Sequence, residues 1–424
     1  MFLRAFASIL SIFAVSSFAL AGQVPTSVKE FGAVGDGTTD DTAAVQKALD
    51  SGKRIVFPEG TYLVTAQINV PSGANVLLGR KSTLRFECKA KNKSLLMMNN
   101  VKSVKIDGDL GTLLGDLRDN PTGTHNAITI VGSTSDVSIE RLNVANFPDD
   151  TGRGGVSGDG IYIGAPLKDG TVPSHITISY CNFQHEGRNQ ISVVAGAHIQ
   201  IDHCHMSFSN FDGIDLEPNN DTDTEDDIKV LDNVVSGSRC GISAIKGSKN
   251  IVIQGNDVSI AADSETKPGD TNDFEGIHID CAGPNVVVKE NKIRGGYMGI
   301  SATHGGAQLV DNEVTSARRG IWVRFNDVTV DHNKIVDCWE EGIRVQGNNA
   351  KITNNTIQDV GDQTKLFNAK VSQAAAIQVN DGFSNGTIAG NTIKDTHPHG
   401  ESRVLVRLPA ADKGGTTWKS DIKP

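Results

Sequence analysis

A five-residue motif that keeps returning constrains this chain more than anything else in it: glycine, isoleucine, a variable residue, an aliphatic, a second variable residue. It runs Gly160-Ile161-Tyr162-Ile163-Gly164, Gly213-Ile214-Asp215-Leu216-Glu217 and Gly241-Ile242-Ser243-Ala244-Ile245. It returns at Gly276-Ile277-His278-Ile279-Asp280, Gly299-Ile300-Ser301-Ala302-Thr303, Gly320-Ile321-Trp322-Val323-Arg324 and Gly342-Ile343-Arg344-Val345-Gln346. Looser copies begin at Gln190 and Ala376. From Gly276 to Gly342 the period is about 22 residues, within the range of solenoid repeats. Each copy alternates aliphatic and variable side chains, as a half-buried strand requires. A second signature follows in each repeat: an apolar strand, an asparagine, then another aliphatic. Aligned, it puts Asn233, Asn256, Asn291, Asn312, Asn333, Asn355 and Asn391 in one register. Stacked asparagines hydrogen-bond to the coils above and below, so the expected fold is all-β, a single-stranded right-handed parallel β-helix with an internal asparagine ladder.

The length of 424 residues is enough for two average domains, but an uninterrupted solenoid forms one unit. The 45 glycines suit a chain of many turns. A net charge of −10 argues against a nucleic-acid partner, because phosphates demand a basic face. It leaves room for an acidic polysaccharide met by locally gathered arginines. Residues 1–21 read as a signal peptide: Arg4, an apolar run from Ala5 to Val15, and Ala19-Leu20-Ala21 before Gly22. The protein is therefore expected to be secreted or periplasmic, cleaved after Ala21 and free of the membrane. Of six cysteines, Cys181 and Cys204 fall on the asparagine register and are expected to stack as small buried residues, with a disulfide between them as an alternative. The other four lack zinc-type spacing, so no metal cluster is expected.

The helix pattern Ala43–Asp50 follows a cluster of acids, and Asp40 or Asp41 is expected to cap it. The helix would plug the open end of the solenoid, which otherwise exposes strand edges and core. Residues 22–60 thus read as an N-terminal cap, 61–410 as the β-helix and 411–424 as a loosely held tail. Coils from Ser94 read as irregular and those from Gly160 as regular, interrupted by insertions at Asn219–Asp227, Ala261–Glu275 and Val360–Ala375. The acidic loop at Asp221–Asp227 is a solvated loop on this reading, with a Ca²⁺ site as the alternative.

The stretch Phe31–Thr42 with its helix, the segment Ile55–Tyr62 and the coils that follow resemble the pectate lyase/polygalacturonase-like β-helix superfamily over nearly the whole mature chain. The resemblance implies action on uronate-rich or other polysaccharides, and phage tailspikes share the fold. The chemistry does not carry over residue by residue: the Asn-Thr-Asp, Gly-His-Gly and Arg-x-Lys sets of polygalacturonases and the Asp-Pro-His of mannuronan epimerases are absent. The site must be argued from the residues.

Stacked coils turn the two variable positions into outward columns. One reads Tyr162, Ser192, Asp215, Ser243, His278, Ser301, Trp322, Arg344 and Gln378; the other includes Glu217, Asp280 and Arg324. The position before the motif adds Asp159, Asp212, Glu275, Arg319 and Glu341, with Arg188 nearby. The face reads as a sugar groove, with Tyr162 and Trp322 as platforms, Arg188, Arg324 and Arg344 for uronate carboxylates, and Asp212 as a further contact. A glycosidase needs a protonated and an ionised carboxyl. Asp215 and Glu217 are the first choice, about 6–7 Å apart on one strand, with Asp280 or Asp159 as partner. A lyase or epimerase would use His278 or an arginine as base. The third alternative is no chemistry, a carbohydrate-binding or tailspike-like adhesin. The partner expected is a polysaccharide and the protein a monomer or homotrimer.

Overall fold

The computed structural model describes residues 24–90, 92–115, 125–147, 158–165, 167–220, 223–260, 274–281, 284–361, 375–380, 383, 385–394, 396 and 404–408. The leader, the 411–424 tail and most of the insertions after Ala261 and Val360 lie outside them. The described chain winds through three parallel sheets. Sheet A has 14 strands, from Thr26–Ser27 to Thr387–Ala389; sheet B has 14, from Asp36–Asp40 to Thr392–Lys394; sheet C has 13, from Ile68–Asn69 to Val404–Arg407. Each coil visits A, then B, then C, and every strand pairs with the strand one coil away. The Gly-Ile motif forms sheet C, the strand before the asparagine is sheet A, and the strand after it is sheet B.

Inward aliphatics from all three sheets fill one continuous core, and most of its members have no solvent exposure at all. Two corners make the winding possible. Between sheets A and B a residue in the left-handed region precedes each ladder residue: Asp232, Glu290, Asp311, His332 and Asn354 lie at φ between 52° and 58°. The asparagine then points inward. Asn312 Nδ2 donates to Val288 O (2.9 Å) and to Asn333 Oδ1 (3.0 Å), while its own Oδ1 accepts from Asn291 N and Nδ2. The same pattern runs from Asn233 to Asn391. Buried amides are thus fully satisfied without water. Between sheets B and C the motif glycine is needed for space. A Cβ on Gly299 would stand 2.3 Å from Val314 Cγ1 and 2.6 Å from Gly320 O, and Gly241 and Gly276 are as tightly enclosed.

Cys181 and Cys204 extend the ladder downward. Both are buried free thiols, as are all six cysteines, so the disulfide alternative does not hold. Cys204 N donates to Asn233 Oδ1 (2.9 Å), and its thiol reaches Asp202 O (3.3 Å).

Three expectations need correction. Regular coils do not wait for Gly160: strands of sheets A and B begin at Thr26 and Asp36, inside the stretch read as a cap, and residues 94–115 and 125–145 already supply strands to all three sheets. The helix α1, Thr42–Asp50, occupies the place of a sheet C strand in the first coil. Its Gln46 amide donates to Asn69 O and accepts from Asn69 N, both at 2.8 Å, closing the edge of the first sheet C strand. Second, of the two acids expected at the helix start only Asp40 serves, its Oδ1 taking Thr42 N (3.0 Å), while the Asp41 carboxylate holds Val34 N (2.6 Å) and Gly35 N (3.0 Å). Third, Glu225, Asp226 and Asp227 belong to a sheet A strand rather than a loop. Asp226 pairs with Lys249 (3.2 Å) and Asp227 with His198 (2.8 Å).

Asn312→Ala should remove the donor to Val288 O and strand the amides of Asn291, at a cost of about 3 kcal/mol. A lowered urea midpoint together with faster amide exchange confined to the neighbouring coils would bear this out; an unchanged midpoint would show that the ladder is dispensable.

Candidate functional site

The register on sheet C places Tyr162, Ser192, Asp215, Ser243, His278, Ser301, Trp322, Arg344 and Gln378 opposite one another, coil by coil. The second column follows, with Ile245 opposite Asp280. The face is less open than an outward column suggests. Ser192, Asp215, Ser243 and Ser301 are all buried, because longer side chains from the corner before each motif fold over them.

The acids of the middle coils gather round a groove of about 280 Å³ lined by Phe211, Asp212, Asp215, Glu217, Arg239 and His278. Ser243 is its centre. Its hydroxyl lies 2.7 Å from Asp212 Oδ2 and 2.8 Å from Asp215 Oδ1. One hydroxyl carries one proton, so it donates to only one of the two carboxyls. The other contact is a hydrogen bond only when that carboxyl carries a proton of its own. Burial, aided by the Glu217 charge, pushes Asp212 up to about 6. Burial also drives Asp215 well above the carboxylate range, with Asp212 and Glu217 adding to it. Asp215 Oδ2 accepts from Asn189 Nδ2 (2.9 Å), and Arg188 stands 3.7 Å from it while reaching Asp159 at 3.5 Å. Glu217 is bound by Lys246 at 3.0 Å.

One coil past Ser243, His278 Nδ1 meets Glu275 Oε2, and Ser301 Oγ joins both, 3.0 Å from the imidazole nitrogen. Burial opposes a charge on this imidazole. The bond to Glu275, with the charges of Glu275, Asp280 and Asp212, outweighs it and raises the His278 pKa.

The structure thus brings together Asp159, Arg188, Asp212, Asp215, Glu217 and His278, and sets others apart. Asp280 turns to His304 Nδ1 (2.8 Å) rather than to Asp215. Tyr162 is half-buried, and burial first, then the Asp159 charge, raises its hydroxyl pKa. Trp322 lies four coils from Asp215, about 19 Å along the axis. Its ring is already covered: the Arg324 guanidinium sits 4.5 Å from the ring centre, and those of Arg319 and Arg344 at 5.3 and 5.7 Å. Arg319 is held by Glu341 (2.8 Å) and Arg344 by Glu341 (3.4 Å), whereas Arg324 is exposed. A bare aromatic platform is not what Trp322 offers; it presents a guanidinium laid on an indole.

Asn189, Lys246 and Arg239 were not anticipated. Lys246 and Arg239 flank a motif copy rather than standing at its variable positions, and Asn189 precedes the degenerate copy that begins at Gln190. Ser243 ties acid to acid, and Ser301 ties acid to imidazole.

Three parallel sheets wound coil upon coil, with a carboxylate-lined groove on one of them, define a right-handed parallel β-helix protein. The chain belongs to the rhamnogalacturonase A/epimerase, pectate lyase-like family, whose model matches residues 26–266, and residues 275–402 match the right-handed β-helix region. Over 83 residues it is 40% identical to the pre-neck appendage protein of Bacillus phage phi29, a stretch that is 19% of this chain and 10% of that protein. The chain spans about a tenth of the length of the first curated relatives it matches. Many solved structures share its fold. PfbA, a surface adhesin of Streptococcus pneumoniae, superposes with a TM-score of 0.60 at 17% identity, covering 93% of this chain and 97% of that one. A mutant tailspike protein of E. coli bacteriophage HK620 in complex with a pentasaccharide superposes with a TM-score of 0.60 at 13% identity, covering 88% and 78%.

Asp212 binds its proton more tightly folded than unfolded, so its contribution to stability is complete below about pH 4 and is lost as pH rises through about 6. Asp212→Asn removes that loss. The urea midpoint of the variant relative to the parent should therefore rise between about pH 4 and about pH 7; a constant difference would show that Asp212 titrates normally.

Proposed function

We propose that the protein binds an acidic polysaccharide along sheet C and hydrolyses it at the Asp212–Ser243–Asp215 cluster. The observation that carries this reading is the single hydroxyl shared by two carboxyls. It supports a proton held between acids at neutral pH, which is what a general acid requires. Asp215 is enclosed, whereas Asp212 stands at the groove mouth, so Asp212 is assigned as the donor to the glycosidic oxygen. Asp215 holds and returns the proton through Ser243. Glu217, beside Lys246, is the ionised carboxylate that activates water or meets the developing positive charge. Arg324 and Arg344, four and five coils along, suit a chain with carboxylates spaced beyond the cleavage point.

The same geometry disfavours elimination. A lyase or epimerase needs a neutral base to take the proton beside the uronate carboxyl. The His278 Nδ1 is occupied by Glu275 and Ser301, and its pKa is raised, which favours the protonated ring.

A second reading has an observation of its own. Asp215, Glu217 and Asp159 each have a cation or amide within reach inside the protein, so the cluster is also consistent with a fixed surface that binds saccharide without turnover. A panel of acidic polysaccharides, followed for new reducing ends and for the ultraviolet absorbance of unsaturated uronate, separates the three. Reducing ends without absorbance are expected. Asp212→Asn and Asp215→Asn should each lower kcat by about 100-fold or more while binding persists. Rising absorbance would replace the hydrolase with a lyase, and binding with neither signal would leave the binding protein.

A further inference from the structure

Away from the acid groove, a trough of about 670 Å³ lies on the outer face of sheet B. We propose that this trough is a second saccharide site, and that its ligand is an uncharged oligosaccharide lying along the helix axis. Its floor consists of the two outward columns of the short sheet B strands. Asn143, Asn182 and His205 follow one another in the first, and Ala145, Gln184 and Ser207 in the second. From the strand Thr112–Leu114 to the strand Val234–Ser236, five successive coils place no carboxylate, lysine or arginine in either column. The next coils break the pattern at once. Asp257 pairs with Arg294, and Lys334 with Glu313 at 2.7 Å. The neutral stretch is therefore bounded on this side by charged coils.

The turns that flank two of these strands, Asn182–Gln184 and His205–Ser207, carry exposed stacked rings. On the side of sheet A, Tyr180 and His203 lie parallel with centres 4.8 Å apart, and Asp202 fixes the imidazole at 2.9 Å. On the side of sheet C, His185 and Phe208 stack at 5.2 Å. Phe208 is 58% exposed and Tyr180 55%, among the most exposed aromatic surfaces described. The Phe208 ring rests on Gly237, where a Cβ would come within 2.9 Å of Cδ1. All four ring-bearing residues stand at left-handed turn positions, φ 51° to 59°, which fixes where each ring can go.

These parts match an uncharged sugar chain. Amide and hydroxyl side chains pair with hydroxyls, flat rings cover the apolar faces of pyranoses, and no charge is left to be desolvated. Asn182 Nδ2 donates to Asn143 Oδ1 (2.8 Å), so the floor is held before a ligand arrives. Five coils extend about 19 Å, room for about four sugar rings. A uronate chain would find no lysine or arginine in either column, which separates this floor from sheet C.

The test is calorimetric titration of the whole protein with cellohexaose, laminarihexaose, mannohexaose and xylohexaose. At least one should bind. The double substitution Tyr180→Ala/Phe208→Ala should weaken it at least tenfold with an unchanged thermal midpoint, while Tyr180→Phe/Phe208→Tyr should retain it. Asp215→Asn should leave this binding intact, whatever it does to the sheet C groove. Absence of binding by all four, binding indifferent to the alanine pair, or binding lost in Asp215→Asn would overturn the proposal. None of these outcomes depends on whether sheet C hydrolyses anything.

Discussion

Everything in this molecule follows from one constraint: each coil must climb by one strand spacing and return in register. Pairing at about 4.8 Å then places every side chain against its counterpart one coil away. The asparagine ladder and the corner glycines enforce that register from opposite corners. The ladder does so by hydrogen bonds that only an asparagine one coil away can complete. The glycine does so by leaving no room for a Cβ between a sheet B side chain and the next coil's carbonyl. Slip by one residue would turn the aliphatics outward and break both at once.

The same register makes an active surface hard to build, because it stacks like on like. Two carboxylates on adjacent coils would repel by about 3 kcal/mol at an effective dielectric of 20. Sheet C avoids this by interleaving. Between Asp215 and His278 stands Ser243, and between His278 and Trp322 stands Ser301. Each serine also bonds the acid that reaches over it from the corner, Asp212 or Glu275. The serines are thus spacers and hydrogen-bonding links together.

How much of this was legible in the sequence depends on the link in question. Periodicity of Gly-Ile and of asparagine fixes sheets, corners and columns, so the outward column from Tyr162 to Gln378 and the ladder from Asn233 to Asn391 could be read directly. Side-chain direction could not. Whether Asp280 faces Asp215 or His304 depends on rotamers that no spacing encodes, and Trp322 was legible as an aromatic but not as one covered by Arg324. The first coil was misread for a different reason. Its sheet C strand is replaced by α1, and the next three sheet C strands, Ile68–Asn69, Lys93–Asn99 and His125–Val131, lack the Gly-Ile motif, so the marker is missing where the solenoid begins. Asp41 looks like a helix cap in sequence because the two amides it binds, Val34 and Gly35, lie in the preceding turn rather than in the helix.

The β-helix also explains how one chain can carry two unlike surfaces. Each coil touches only its neighbours, so the sheets share a core but not their outer faces. Sheet C carries its charge on a few coils; on sheet B the strands from Thr112–Leu114 to Val234–Ser236 are neutral outward, and those that follow carry the ion pairs Asp257–Arg294 and Lys334–Glu313. Side chains inside fix both, because inward Phe183 and Met206 hold the very strands whose outward neighbours are Asn182, Gln184, His205 and Ser207. Changing an outward residue leaves that inner packing in place. The faces are therefore free to differ in charge, and a saccharide seated on one has no shared side chain through which to displace a saccharide on the other.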